Sequence, residues 1–345
     1  MDIGNAKKSG KFLHIPKILF TFAQNNNIMS KLSNNQGRAY EFACLNAFYD
    51  EISKERDAQI IENSSFKAAQ RAYNTLSSVE KALYQRSAFA MVSTVFECEP
   101  KIIEKSDEVL VLYIQKDEAG KEGDVRDIII ARNDIQWEIG FSIKHNHFAV
   151  KHSRLSPTID FGEKWYGFPC SNEYWNEVKP VFTYLEEEKK KHTKFNELPD
   201  KENDVYIPLV AAFIDEVKRQ CEIHKSIPKR LVEYLLSKFD FYKIISIDQK
   251  KLTKVQSYNL HGTLNQPAKR KKPSIEIPVA ALPKRIISMD FVPGRSNTAE
   301  LCLDGGWYFT FRIHNAETYV TPSLKFDVQI AGVPTTIITL DCEWK

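Results

Sequence analysis

The sequence predicts a mixed α/β (α+β) protein, with a central mixed sheet flanked by helices and a β-rich C-terminal part. Strict apolar alternation from Ile135 to Lys144, following the apolar run Ile128-Ile129-Ile130, marks a hairpin with period two. Apolar residues at helical spacing mark helices on both sides of it. From Arg285 onward, short alternating segments are divided by Pro293-Gly294, Asp304-Gly305-Gly306 and Gly332, which marks a further set of strands.

Taken in order, residues 1–35 combine lysines, asparagines and one short apolar patch, and are expected to form a flexible extension, with Met29 available as an alternative start. A helix is expected over residues 37–52, where Tyr40, Cys44 and Phe48 share a face and Glu41 lies beside that stripe. Helices near 65–76 and 78–97 follow; Ser77 or Ser78 caps the second, with Glu80 as boxed partner and Pro100 past its end. Residues 108–115 read as a strand lying beside the hairpin, and 117–123 as a charged loop leading into it. Beyond the hairpin, the chain as far as Pro157 reads as a basic helix or loop. A helix over 172–191 buries Tyr174, Val178, Val181, Phe182 and Leu185, and helices near 206–223 and 228–237 follow, the latter opened by Pro228. Residues 241–248 form a strand that pairs with 252–258. The segment 259–284 is a proline-bounded loop, and strands are expected over 286–292, 299–303, 307–313, 324–331 and 335–340.

The 345 residues, 43% hydrophobic, can bury a substantial core, which excludes general disorder. A net charge of +3 is too mild for a packaging protein, so any nucleic-acid surface must come from local clusters. The six cysteines are scattered without metal-ligand spacing and read as free thiols of a reducing cytoplasm. The apolar patch near residues 12–22 is too short to span a bilayer, so no membrane association is expected.

The polar face of the hairpin carries the chemistry. Ile135, Trp137, Ile139, Phe141 and Ile143 share one side of the second strand, and Gln136, Glu138, Gly140, Ser142 and Lys144 the other. Folding about Asn133-Asp134 sets Asp127 opposite Gly140 and diagonal to Ser142, with Asp124 near the end that carries Lys144. A carboxylate on one strand and a lysine on its partner suit a metal-dependent phosphodiesterase: the acid holds Mg²⁺, and the ammonium positions the attacking water or offsets negative charge. Asp124 and Asp127 compete for the metal. Glu138 is a third carboxylate, but it lies roughly 20 Å along the strand from Lys144, too far to share one ion with it.

Asp127-Ile-Ile-Ile followed by Ser142-Ile-Lys144 resembles the active-site hairpin of the PD-(D/E)xK nuclease superfamily, in a variant with serine at the second acidic position. With QGRAYEFAC at 36–44, GDVRDIII at 123–130, WEIGFSIKHNHFAVKHSRLSP at 137–157, KFDFYKIISID at 238–248, NLHGTLN at 259–265 and PSLKFDVQIAG at 322–332, the chain resembles the HaeIII type of Type II restriction endonucleases over about 33–335. The resemblance implies a PD-(D/E)xK core and Mg²⁺-dependent hydrolysis of double-stranded DNA at GGCC, leaving 5′-phosphate and 3′-hydroxyl ends, with no nucleotide cofactor. It favours Asp127 over Asp124 as metal ligand, leaving Asp124 as a supporting carboxylate or partner of Arg126, and it places Glu41 at the metal from the first helix. It further implies a catalytic core over 36–200 and a 201–345 part for DNA binding or dimerisation, in a possible homodimer. Without a carboxylate at Ser142 the site needs another oxygen ligand.

DNA contacts are expected from Lys151 and Arg154, the latter for guanine because its fork donates two hydrogen bonds to O6 and N7. His145, Asn146 and His147 at the strand exit are further candidates, as is the cationic run Lys269, Arg270, Lys271 and Lys272. Two alternatives stay open: a DNA-binding protein on a degenerate nuclease core, and a repair or structure-directed nuclease of the same superfamily.

Overall fold

The computed structural model describes residues 22–116, 123–146 and 151–345, with the side chains of 22–34 and 151–152 outside that description. The extension expected over 1–35 lies outside it as far as residue 21. From there a single helix, α1 (Phe22–Ile52), runs well upstream of the expected start. Its buried face holds Tyr40, Cys44 and Phe48, as the spacing predicts. Helix α2 (Ser64–Asn74) is capped by the Asn63 side chain, and α3 (Ser78–Cys98) by a reciprocal Ser77–Glu80 capping box.

These helices cover one face of a mixed sheet. Among the described residues it has seven strands: β1 (Ala58–Ile60), β2 (Leu110–Ile114), β3 (Ile128–Arg132), β4 (Trp137–His145), β6 (Phe241–Ile247), β7 (Leu252–Tyr258) and β12 (Thr339–Glu343), adjacent in that order. The β1–β2 and β4–β6 pairs are parallel and the others antiparallel. Ile128, Ile130, Ile139, Phe141 and Ile143 pack with α1 and α3 in one apolar core.

The second core lies under an antiparallel sheet of β8 (Ile286–Phe291), β9 (Thr298–Leu303), β10 (Tyr308–His314), β11 (Leu324–Gly332) and, as an edge strand, β5 (Lys151–Leu155). Helices α4 (Phe161–Tyr166), α5 (Asn172–Lys190), α6 (Ile207–Ile223) and α7 (Ile227–Leu235) pack against it, with Trp165 stacked between Tyr234 and Phe311. No helix among the described residues is long and apolar enough to cross a membrane.

Two expectations are corrected. The basic segment after the hairpin is a strand: β5 turns Leu155 into the second core and hydrogen-bonds Ser153 to the Trp165 indole, so its alternation is that of a half-buried edge. The last strand lies at 339–343 and joins the seven-stranded sheet beside β7. Because β6, β7 and β12 complete that sheet from beyond residue 200 while β5 serves the other from before it, a division at 200 does not separate the two sheets.

Candidate active site

The hairpin register places the site. Residues 133–135 form a short 3-10 turn and Gln136 adopts a left-handed conformation (φ 48°), so the connection is longer than a two-residue turn. Ile128 pairs with Phe141 and Ile129 with Gly140, so Asp127 sits across from Ser142, two residues from the expected register. An even shift keeps every side chain on its expected face, because strand faces repeat every second residue. The shift carries Asp127 toward Lys144.

Asp127 is fixed at both backbone and side chain. Its N–H donates to Phe141 O at 2.7 Å, and its carbonyl accepts from Gln115 N at 2.8 Å, which pins it between β2 and β4. Oδ2 accepts from Ile143 N (2.6 Å), Lys144 Nζ (3.1 Å) and Ser142 Oγ (3.4 Å). Among the described residues Oδ1 accepts no hydrogen bond, so one oxygen of a rigidly held carboxylate is open to a cation. Lys144 is 29% exposed at the end of β4. Burial works against its ammonium, but Asp127 and then Glu41 outweigh that and hold its pKa above the usual lysine value. Glu41, half-buried on α1, therefore lies within electrostatic reach of Lys144.

The competing carboxylates have other partners. Asp124 is clasped by Arg126, with Nε on Oδ1 at 2.8 Å and Nη2 on Oδ2 at 2.7 Å, while Nη1 donates to Glu138 at 2.7 Å. Burial raises the Asp124 pKa, but Arg126 outweighs it and leaves the acid below its usual range. The arginine lies across Gly140, where a Cβ would come 2.0 Å from its Cδ, and over the Phe239 ring at 4.2 Å. The glycine interrupting the polar face of β4 is the sequence signal of that close approach.

The remaining candidates are dispersed. His145 is wedged by Tyr84 and Asp248, with Nδ1 3.3 Å from the Tyr84 hydroxyl and Nε2 2.8 Å from Asp248 Oδ2. Asn146, left-handed at φ 53°, bridges the same aspartate, accepting from Asp248 N and donating to Oδ2. Both are fastened to Asp248 at the strand exit, where Asn146 is exposed. His147 and the Lys151 side chain lie outside the described residues. Arg154 is exposed on β5, where its guanidinium touches Ser323 and its neighbour across the ladder is Lys325. The run Lys269–Lys272 is exposed but stands at the other end of the hairpin: Lys269 N donates to Glu104, which pairs with Arg132 beside the turn. That end is roughly 23 Å along β4 from Lys144.

Sequence reasoning missed Lys243. It is the register partner of Ser142 on the neighbouring parallel strand, and with Ser142 and Lys144 it lines a small cavity closed by Val125, Leu236 and Ile330. Burial, and then repulsion from Lys144, push its pKa down to about 8, against the pull of Asp127. A lone lysine inside FYKIISI was the available signal, since a central strand has no solvated side for it.

Comparison with known proteins identifies the family. The family model described as HaeIII restriction endonuclease matches residues 37–334. The Type II restriction enzyme HaeIII of Haemophilus aegyptius is 52% identical over 318 residues, covering 92% of this chain and all of that protein. No solved structure matches the chain. With a family match over most of its length and a relative identical at half of the aligned positions, the chain belongs to the HaeIII restriction endonuclease family and is a Type II restriction endonuclease.

Proposed function

We propose that the chain cleaves double-stranded DNA at a short site, GGCC by resemblance to its family, using the Asp127–Lys144 end of the hairpin and a divalent ion. The observation that carries this reading is the Asp127 carboxylate, with three donors gathered on Oδ2 and no hydrogen bond on Oδ1 among the described residues. The described residues offer no group of three or more His, Cys, Asp or Glu side chains for an ion. Two carboxylates, Asp127 and Glu41, fit Mg²⁺, which commonly takes one or two protein carboxylates and completes its shell with water and phosphate oxygens. When bound there, the ion would offset charge on the scissile phosphate and acidify a coordinated water.

The chain's own groups do the rest. Lys144 keeps its proton at neutral pH and presents an ammonium beside the phosphate, where it orients the water and stabilises developing negative charge. The Ile143 amide and Ser142 hydroxyl hold Asp127 in place, which makes Ser142 a support and not a metal ligand. Water attack in line with the 3′ oxygen leaves a 5′-phosphate and a 3′-hydroxyl. Arg154 on β5 and the Lys269–Lys272 run are the proposed DNA contacts, and a homodimer would present two such sites to the two strands. Six free cysteines fit a reducing cytoplasm.

The test is a plasmid digest with termini sequenced, alongside Asp127→Asn and Lys144→Ala. Discrete fragments whose abutting termini rejoin as GGCC, and loss of cleavage by about 10³-fold or more in either variant with duplex binding retained, are expected. Turnover at the wild-type rate by Asp127→Asn overturns the assignment.

A further inference from the structure

Lys243 has no task in the scheme above, yet its position is specific. It stands third in β6, a strand whose first six residues are all buried, and it is itself 6% exposed. Lysine is almost never buried to this degree without a charge arranged to receive it. The register pairs it with Ser142, and the two share the cavity beside Lys144, so both side chains stand on the Asp127 face of the sheet. That cavity, about 40 Å³, admits water but no nucleotide. Asp127 accepts from Lys144 at 3.1 Å, and Lys243 reaches the same cavity from the neighbouring strand, within electrostatic reach of both.

The serine gives this arrangement its meaning. A carboxylate at position 142 would stand beside Asp127 and offer paired anionic oxygens, the donor set that two-metal phosphodiesterases use to clamp attacking and leaving oxygens. Here the hairpin supplies a hydroxyl instead, and the next strand brings a fixed cation to the same spot. We propose that Lys243 is a positioning residue that stands in for a second divalent ion, so that each active site takes up one metal and not two. Its charge balances Asp127 and repels a second ion from the Ser142 side. This rests on the nuclease reading of Asp127.

The test counts ions. Ca²⁺ is titrated calorimetrically into the protein bound to a cognate duplex, with the duplex checked for intactness on a gel. Wild type is expected to take one ion per chain. Lys243→Met, which keeps the chain length and removes the charge, should bind that ion about tenfold more tightly, a change that poorer packing alone would not produce. Its single-turnover cleavage in Mg²⁺ should fall by about tenfold or more. The double variant Lys243→Met/Ser142→Asp should take two ions per chain. If Lys243→Met does not fold, Lys243→Gln carries the same comparison. Two ions on wild type, or unchanged ion affinity in the uncharged variant, overturn the proposal. Asp127→Asn separates the two readings: if it cleaves normally, the site itself is wrong; if it is inactive while Lys243→Met matches wild type in ion affinity, only the role of Lys243 fails.

Discussion

The β3–β4 hairpin handles charge in two ways along its length. Toward the turn, Arg132 is answered by Glu104 at 2.6 Å and Asp134 at 2.8 Å, and Arg126 by Asp124 and Glu138, each at 2.7 Å. These arginines are nearly inaccessible, at 2% and 7% exposure, and each is held by two carboxylates. At the opposite end, Asp127 accepts from Lys144 through one oxygen, its other oxygen accepts no hydrogen bond among the described residues, and Lys243 lies within electrostatic reach. Asp124 and Asp127 are only three residues apart, so proximity in sequence says little about role. What separates them is whether the cation beside the acid is a forked guanidinium that saturates both oxygens or a point-like ammonium that takes one.

The contrast breaks most sharply at the two aspartates' partners. Asp127→Asn should abolish cleavage and leave the melting temperature near that of wild type, since the amide oxygen can still accept from Ile143 N. Arg126→Met should do the reverse. It strands Asp124 without its cation in a site 9% exposed, which costs about 3–5 kcal/mol in folding stability. Denaturant melts joined to single-turnover rates check both. An Arg126→Met protein that is as stable as wild type but inactive would move Arg126 into the active site.

The hairpin was legible because both signals act within a few residues. Alternation from Ile135 to Lys144 sets the faces, and the Ser77–Glu80 box was equally readable. The register was not, because it depends on Gln136 taking a left-handed conformation that its residue type does not demand. The fastening of His145 was not legible either, because the groups that hold it, Tyr84 and Asp248, are 61 and 103 residues away in sequence. Lys243 was overlooked for the same reason, since its task is set by Ser142 on another strand. The placement of β5 and β12 in each other's half of the chain likewise rests on long-range pairing, to β11 and β7, that short-range pattern does not encode.

A buried acid apart from both ends sharpens the comparison. Glu99, at the C-terminal end of α3, accepts from Tyr242 and Asn265 N through one oxygen, and among the described residues no salt bridge holds it. Burial pushes its pKa up to about 7 from an ordinary 4.5. The folded chain therefore holds this proton more tightly than the unfolded chain. Its favourable contribution is complete below pH 4.5 and is lost as pH rises through 7. Glu99→Gln keeps the acceptor and removes the titration, so it should match wild type near pH 4.5 and exceed it by up to about 3 kcal/mol above pH 7. Urea midpoints across that range measure it; a gap that does not grow with pH would show that Glu99 is paired in solution.

The smallest effect is expected at the closed end. Lys269–Lys272 lie beside Glu104, roughly 23 Å along β4 from Lys144, so they cannot touch the phosphate being cut. If the duplex follows the strand, that spacing corresponds to about seven base pairs at 3.4 Å each, which would make the run a flanking phosphate contact. Replacing all four by glutamine should then leave the single-turnover rate at saturating DNA unchanged. The slope of log affinity against log salt should flatten by about 0.9 for each phosphate no longer neutralised. Arg154→Ala provides the contrast, because removing a base-reading side chain from β5 should relax discrimination between cognate and mismatched sites by about 1–3 kcal/mol with little change in slope. A slope unaltered by the fourfold change would mean that DNA approaches the open end of the hairpin without running along it, and that the cationic loop is solvated surface.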